Sequence, residues 1–200
     1  MWFSCSFAVV GLSGIREMKR RAIIQKLPEP ELDAGFLSAE RADRLLDWCL
    51  HRVHWGTEAV SLFGRRHTVP RLTAWYGDPG TNYRYSGQDH PGNGVPEALQ
   101  PLTRALNANH VLLNRYRAGG DYMGWHRDDE RGVCGPVHIV SVGASRTLRW
   151  RFDGCRESQA VPLSHGSKLA IDGRLPHTLT RTRRAVGERV SLSFRCLADG

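Results

Sequence analysis

Apolar positions recur at two different periods along this chain, and the change of period divides it into helical and extended parts. Leu45, Leu46, Cys49, Leu50 and Val53 fall at helical spacing. They predict a packing helix over Ala39–Val53, with Ser38 as its N-cap and Glu40 in the first turn. His51 and His54 fall at its C-terminal end, where the helix dipole favours a cation, and read as surface residues. Pro96 suits a first helical position, and Glu97, Leu99, Leu102 and Leu106 continue a second helix that closes near Asn109. Pro101 fits poorly in its first turn, because it has no N–H to donate. Beyond that point the apolar runs shorten and are bounded by Gly, Asp and Ser. Val111–Tyr116, Val137–Val142, Thr147–Phe152, Ala160–Leu163, Ser167–Ile171 and Val190–Phe194 read as strands. Many short strands with turn punctuation suggest a barrel or jelly roll.

The last strand carries the first sign of chemistry. Alternation through Arg189-Val-Ser-Leu-Ser-Phe-Arg195 puts Val190, Leu192 and Phe194 on one face and Arg189, Ser191, Ser193 and Arg195 on the other. The apolar face reads as core. On a strand built for burial, two guanidinium groups need partners, and the planar fork suits a carboxylate. A dicarboxylate cosubstrate would supply one; a solvated basic face is the plainer alternative.

A second sign lies in Asn114–Glu130, NRYRAGGDYMGWHRDDE. His126 and Asp128 are two residues apart, so in an extended segment they share a face, with Cα atoms about 6.6–6.8 Å apart. Both side chains can then converge on one cation. Two histidines and one carboxylate with open positions suit non-haem Fe(II), and the same set also serves hydrolytic zinc. The remaining ligand is a later histidine. His177, in Gly173-Arg-Leu-Pro-His-Thr, is the candidate, with His138 and His165 open on chemistry alone. His138 sits among Val137, Ile139 and Val140 and reads as structural, His165 as a turn residue. Asn114 and Tyr116 again share a strand face.

In combination these motifs resemble the AlkB-type Fe(II)/2-oxoglutarate dioxygenases that repair alkylated nucleic acids. The pattern reads Asn114-Arg-Tyr116, His126-Arg-Asp128, His177, and Arg189 to Arg195. It extends upstream to Val69–Gly77 and Tyr83–Gly87, which resemble the substrate-side segments of the DNA-acting branch, and covers about Pro30 to Leu197. The resemblance selects His177 as the distal ligand, and the paired arginines favour iron over zinc. It implies a mainly β double-stranded β-helix, or jelly roll, with flanking helices. It implies oxidative demethylation of 1-methyladenine- and 3-methylcytosine-type bases, consuming O2 and 2-oxoglutarate and releasing formaldehyde, succinate and CO2. His126, Asp128 and His177 would hold Fe(II). Asn114, Tyr116, Arg189, Ser191, Ser193 and Arg195 would form the 2-oxoglutarate pocket, Arg189 at its distal carboxylate and Arg195 at the metal end. Ser191 departs from the asparagine that many relatives carry there, which bears on cosubstrate affinity rather than on class.

On the substrate side, Phe63, Gly64 and Arg65 form an aromatic–glycine–arginine tip, where a wedge could fill the gap left by a flipped base. Phe63 in the core is the equal alternative. Arg71 and Tyr83 fall in the substrate-side segments. Tyr85 is similar to the family's stacking aromatic, although two strand tyrosines are also ordinary packing. Asp129 and Glu130 would favour a cationic methylated base over a neutral one, or else form a solvated acidic patch.

Composition agrees with this picture. At 200 residues and 40% hydrophobic the chain is long and apolar enough for one folded domain. Residues 29–200 are expected to form it and 1–28 an extension poorly ordered, with Met18 an alternative start. The net charge of +8 suggests an anionic partner, nucleic acid being the simplest, and the resemblance implies DNA with RNA as the second possibility. Five cysteines at irregular spacing disfavour a disulfide framework and suggest a reducing intracellular compartment. No apolar run reaches the about 18 residues of a membrane span. The protein is expected to act as a monomer. A same-fold hydroxylase acting on RNA or protein, and a non-catalytic nucleic-acid-binding module, are the rival readings.

Overall fold

The computed structural model describes residues 27–62, 65–85 and 87–198. The expected N-terminal extension up to residue 26, the alternative start at Met18, Phe63, Gly64 and the Arg65 side chain lie outside the described residues.

In chain order the elements are β1 (Glu31–Asp33), α1 (Ala39–Arg52), β2 (Ala59–Leu62), β3 (Arg65–Thr68), β4 (Leu72–Gly77), β5 (Asn82–Tyr85), β6 (Gln88–Pro91), a 3-10 turn (Glu97–Leu99), α2 (Gln100–Ala105), β7 (His110–Tyr116), β8 (Met123–His126), β9 (Val133–Gly143), β10 (Arg146–Trp150), β11 (Gln159–Leu163), β12 (Lys168–Ile171), β13 (His177–Leu179) and β14 (Arg189–Leu197). Six strands form a major sheet in the order β1-β12-β9-β14-β7-β4, and four form a minor sheet in the order β11-β10-β13-β8. β2–β3 and β5–β6 are separate hairpins. The paired strands are antiparallel throughout. This is a jelly roll, as the short punctuated strands predict.

Burial explains how the layers stack. One core lies between the sheets, where Val137, Ile139, Leu169 and Ile171 meet Leu148, Trp150 and Leu163. A second lies behind the major sheet, where Ala42, Leu45 and Cys49 of α1 and Leu99 and Leu102 near α2 pack on Val140, Val142, Val190, Leu192 and Phe194. β14 is therefore sandwiched. Its apolar face meets the helices, and Arg189, Ser191, Ser193 and Arg195, all buried, face the minor sheet. The solvated basic face is excluded.

α1 begins as expected: the Ser38 hydroxyl accepts from the Arg41 N–H at 3.4 Å. The second helix is shorter than its pattern predicts. Pro96 stays extended at ψ 144°, a 3-10 turn intervenes, and α2 stops at Ala105. Pro101 lies in the first turn, where the missing N–H does no harm, and Asn107 leaves the helix at φ 49°. β9 starts four residues before its expected limit, and the three-residue strands β1 and β13 are too short to show a period.

Candidate metal centre

β8 and β13 pair so that His126 lies directly opposite His177. The two rings are 4.1 Å apart between centroids. Asp128 is not on the same strand, contrary to the extended reading, because β8 ends at His126. It enters from the following loop, where its N–H donates to the Gly173 carbonyl at 2.9 Å. The convergence is nonetheless close. Asp128 Oδ1 is 3.8 Å from His126 Nε2, Oδ2 is 3.8 Å from His177 Nε2, and all three donor atoms lie within 4.8 Å of one another. His138 and His165 lie outside this cluster. His165 Nδ1 accepts from the Gly143 N–H at 2.8 Å, and its Nε2 is 3.2 Å from Asp43.

Each histidine is oriented through its second nitrogen. His126 Nδ1 donates to Gly124 O and His177 Nδ1 to Leu175 O, both at 2.9 Å. A carbonyl cannot donate, so the proton sits on Nδ1 and the Nε2 lone pair is left facing Asp128. Burial, with the neighbouring His177, lowers the His126 pKa to about 3, so the ring is neutral at pH 7. Burial alone would raise the Asp128 carboxyl. Arg195, His126 and His177 outweigh it and hold the group below the ordinary carboxylate range. Arg195 donates to Oδ2 at 2.9 Å, whereas the buried Oδ1 has no hydrogen-bond partner among the described residues. Two imidazole Nε2 atoms and an unsatisfied carboxylate oxygen thus converge on one point. That arrangement calls for a cation, and the donor set fits Fe(II).

Gly173 makes the approach of Asp128 possible. A Cβ there would stand 2.3 Å from the Asp128 carbonyl oxygen, so the backbone would have to shift. We expect Gly173→Ala to displace Asp128 and raise the Fe(II) concentration required for half-maximal loading by tenfold or more. Overpacking of this kind typically costs about 1–3 kcal/mol. Metal titration of the variant tests this, and wild-type affinity would contradict it.

A narrow cavity runs from the His/Asp/His cluster along the inner face of β14. Asn114, Tyr116, Ser191 and Ser193 line it. Arg195 closes the metal end, also donating to the Ser193 carbonyl at 3.0 Å. Arg189 is the other guanidinium. It donates to Ser141 Oγ at 2.9 Å and lies over the Tyr116 ring at 5.3 Å. Its Nε and Nη1 have no partner among the described residues. Burial lowers its pKa to about 10, which leaves it charged at neutral pH. Asn114 accepts from Arg71 Nε at 2.7 Å, so Arg71 is tied to the pocket wall. Ser141 and Gly173 are absent from the sequence-derived set. The signal for Ser141 is a lone hydroxyl inside the apolar run of β9.

The aromatic segments pack beside the metal end. The buried Tyr83 and Tyr85 rings stack at 6.2 Å, with Trp75 at 5.4 and 5.7 Å. Tyr83 lies over Arg195 at 5.0 Å, and its hydroxyl donates to Glu130 at 2.5 Å. Burial raises the Glu130 carboxyl despite that bond. Asp129 points elsewhere. It is exposed and lines an adjoining groove with Glu29, Glu31 and Asp172, which Asp128 also borders.

The model of the 2OG-Fe(II) oxygenase superfamily matches residues 32–195. The chain belongs to that superfamily. Within it the chain is AlkB-like. It is 35% identical to the human DNA oxidative demethylase ALKBH2 over 156 residues, 68% of this chain and 60% of that protein. The mouse protein of the same name is 34% identical over 77% of this chain and 74% of its own length. Human alkB homolog 3, an alpha-ketoglutarate-dependent dioxygenase, is 29% identical over 80% of this chain. This chain thus spans about three fifths of the human ALKBH2 length. Two solved structures share the fold at TM-score 0.62: OsALKBH1, at 15% identity over 84% of this chain and 97% of that one, and a 2OG-Fe(II) family oxidoreductase from Burkholderia pseudomallei, at 14% over 98% and 96%. The AlkB-like oxygenase accordingly takes Fe(II) as its metal and 2-oxoglutarate as cosubstrate. Among the described residues no helix is long and apolar enough to cross a membrane.

Proposed function

We propose that this chain demethylates N-alkylated bases of the 1-methyladenine and 3-methylcytosine type in DNA, consuming O2 and 2-oxoglutarate and releasing formaldehyde, succinate and CO2. One observation carries the reading. A single cavity has an unsatisfied carboxylate oxygen between two imidazoles at one place and a half-unpaired buried guanidinium on the same strand face. The relatives named as DNA oxidative demethylases supply the substrate class.

His126, Asp128 and His177 would hold Fe(II). When bound, the iron and its cosubstrate supply the oxidation of the N-methyl carbon. The residues of the chain position and exclude water. The unpartnered Nε–H and Nη1–H groups of Arg189 would donate to the distal carboxylate of 2-oxoglutarate, with Ser141 holding the third nitrogen of the fork. Arg195 holds Asp128 ionised and aimed. Asn114, braced by Arg71, and Tyr116 face the cosubstrate alongside Ser191 and Ser193. Tyr85 would form the aromatic wall for the flipped base, with the fully buried Tyr83 packed behind it, and such stacking is worth about 1–3 kcal/mol. Glu130 is the carboxylate beside that wall and favours a cationic base. Asp129, with its outward position, contributes at most to the field. We place the catalytic domain at residues 29–200, acting as a monomer on alkylated DNA.

The test is formaldehyde release from 1-methyladenine and 3-methylcytosine in single-stranded DNA, duplex DNA and RNA. Release from DNA with matched succinate is expected. Turnover confined to RNA or to a protein substrate would overturn the assignment.

In sequence Phe63 and Gly64 fall between Leu62 and Arg65, which pair across two strands. As a wedge Phe63 would offset the few kcal/mol needed to extrude a base from a duplex, with Gly64 and Arg65 beside it. Phe63→Ala is then expected to slow duplex repair strongly and single-strand repair weakly, at nearly unchanged melting temperature. An equal loss of both rates with a large drop in melting temperature would assign Phe63 to the core, where truncation costs about 3–5 kcal/mol.

A further inference from the structure

Cys134 and Cys196 are 62 residues apart in sequence, yet β9 and β14 pair them directly. Residues directly opposite in an antiparallel pair have Cα atoms about 4.5–5.5 Å apart. A disulfide accepts about 4.4–6.8 Å, so the backbone need not move for the two to be joined. The side chains already converge. The Cys134 thiol donates to Cys196 Sγ at 2.8 Å and lies 3.3 Å from the Cys196 carbonyl oxygen. Cys134 is exposed, so an oxidant in solution reaches it. The ladder shifts register between Phe194 and Cys196, an irregularity of the kind that bends a strand locally.

The other described thiols differ. Cys49 is sealed in the core on the buried face of α1, and burial raises its thiol to about 12, so it carries no reactive thiolate at neutral pH. Cys155 is exposed in the turn after β10.

We propose that Cys134 and Cys196 form an oxidisable dithiol, a modification site that closes reversibly to a cross-strand disulfide with hydrogen peroxide as the oxidant. The Cys134 thiolate attacks the peroxide O–O bond, giving a sulfenic acid and releasing water once the leaving oxygen is protonated. The Cys196 sulfur then attacks the sulfenic sulfur, the S–S bond forms, and a second water leaves with the proton of Cys196. Two thiols are oxidised by two electrons and one peroxide is reduced to two waters. An external dithiol reverses the step by exchange. The bond ties β9 to the end of β14, one residue beyond Arg195.

The test uses the full chain, reduced and then exposed to equimolar hydrogen peroxide. Thiols are then alkylated and peptides mapped by mass spectrometry. The expected product is a Cys134–Cys196 peptide two hydrogens lighter, restored by dithiothreitol and still formed in Cys155→Ser. In Cys196→Ser, Cys134 should stop as a sulfenic acid that a cyclic 1,3-diketone traps. Cross-links from Cys134 to Cys5 or Cys155, or a sulfinic Cys134 beside an alkylatable Cys196, would overturn the proposal. These readouts do not involve turnover, so they stand apart from the demethylase reading.

Discussion

Alanine in place of Asp128 is expected to abolish iron-dependent turnover and also to weaken the apoprotein. Sequence reasoning alone predicts the first effect with little loss of fold. The structure adds the second, because Asp128 is the ionic partner of Arg195, which is 1% exposed. Removing one member of a buried pair leaves the other charge uncompensated and typically costs about 3–5 kcal/mol. For a domain of this size that corresponds to a fall in melting temperature of roughly 6–20 °C. Asp128→Asn separates the two roles. It keeps the shape and an oxygen for Arg195 but loses the charge, so it should retain more stability and still lose turnover. Formaldehyde release and apoprotein melting, measured on both variants, decide the matter. Demethylation by Asp128→Ala near the wild-type rate would remove Asp128 from the metal site.

The second large effect is expected at Arg189→Lys. Arg189 is buried, one fork nitrogen is held by Ser141, and Nε and Nη1 point to no described partner. Lysine keeps a charge but offers a point rather than a fork. Losing one charge-assisted hydrogen bond costs about 1.5–3 kcal/mol, which is roughly a 10- to 100-fold higher 2-oxoglutarate requirement. The maximal rate at saturating cosubstrate should change far less, because Arg189 lies six residues along β14 from Arg195, the guanidinium that pairs with Asp128. A 2-oxoglutarate titration measures both quantities. An unchanged half-saturation point would assign the distal carboxylate to another cation, with Arg183 and Arg184 next to examine.

Much of this protein is readable from the order of its residues. Helical spacing and Ser38 define α1 almost to its ends, and alternation in 189–195 sorts β14 into an apolar and a polar face. Those signals are local, since a period of 3.6 or 2 is set by the backbone and is written into neighbouring positions. His126, Asp128 and His177 were nameable because they recur in a recognisable pattern.

What the order could not decide is whatever depends on distant segments meeting. Alternation says that Arg189 and Arg195 share a face, but not whether water covers it. Their burial is decided by the tertiary fold, with the minor sheet across the cavity and the Tyr116 and Tyr83 rings over the two guanidinium groups. His-x-Asp reads as one strand, yet Asp128 reaches the histidines from a loop pinned to Gly173, because a backbone hydrogen bond across 45 residues of sequence overrides the local extended geometry. Glu130 and Asp129 are adjacent and chemically alike. The fold turns one toward Tyr83 and the other toward solvent. Cys134 and Cys196 show no spacing that marks a pair, and strand register alone brings their sulfurs together. In each case the deciding quantity is a contact between segments far apart in sequence, and such contacts are set by the packing of two sheets rather than by any local period.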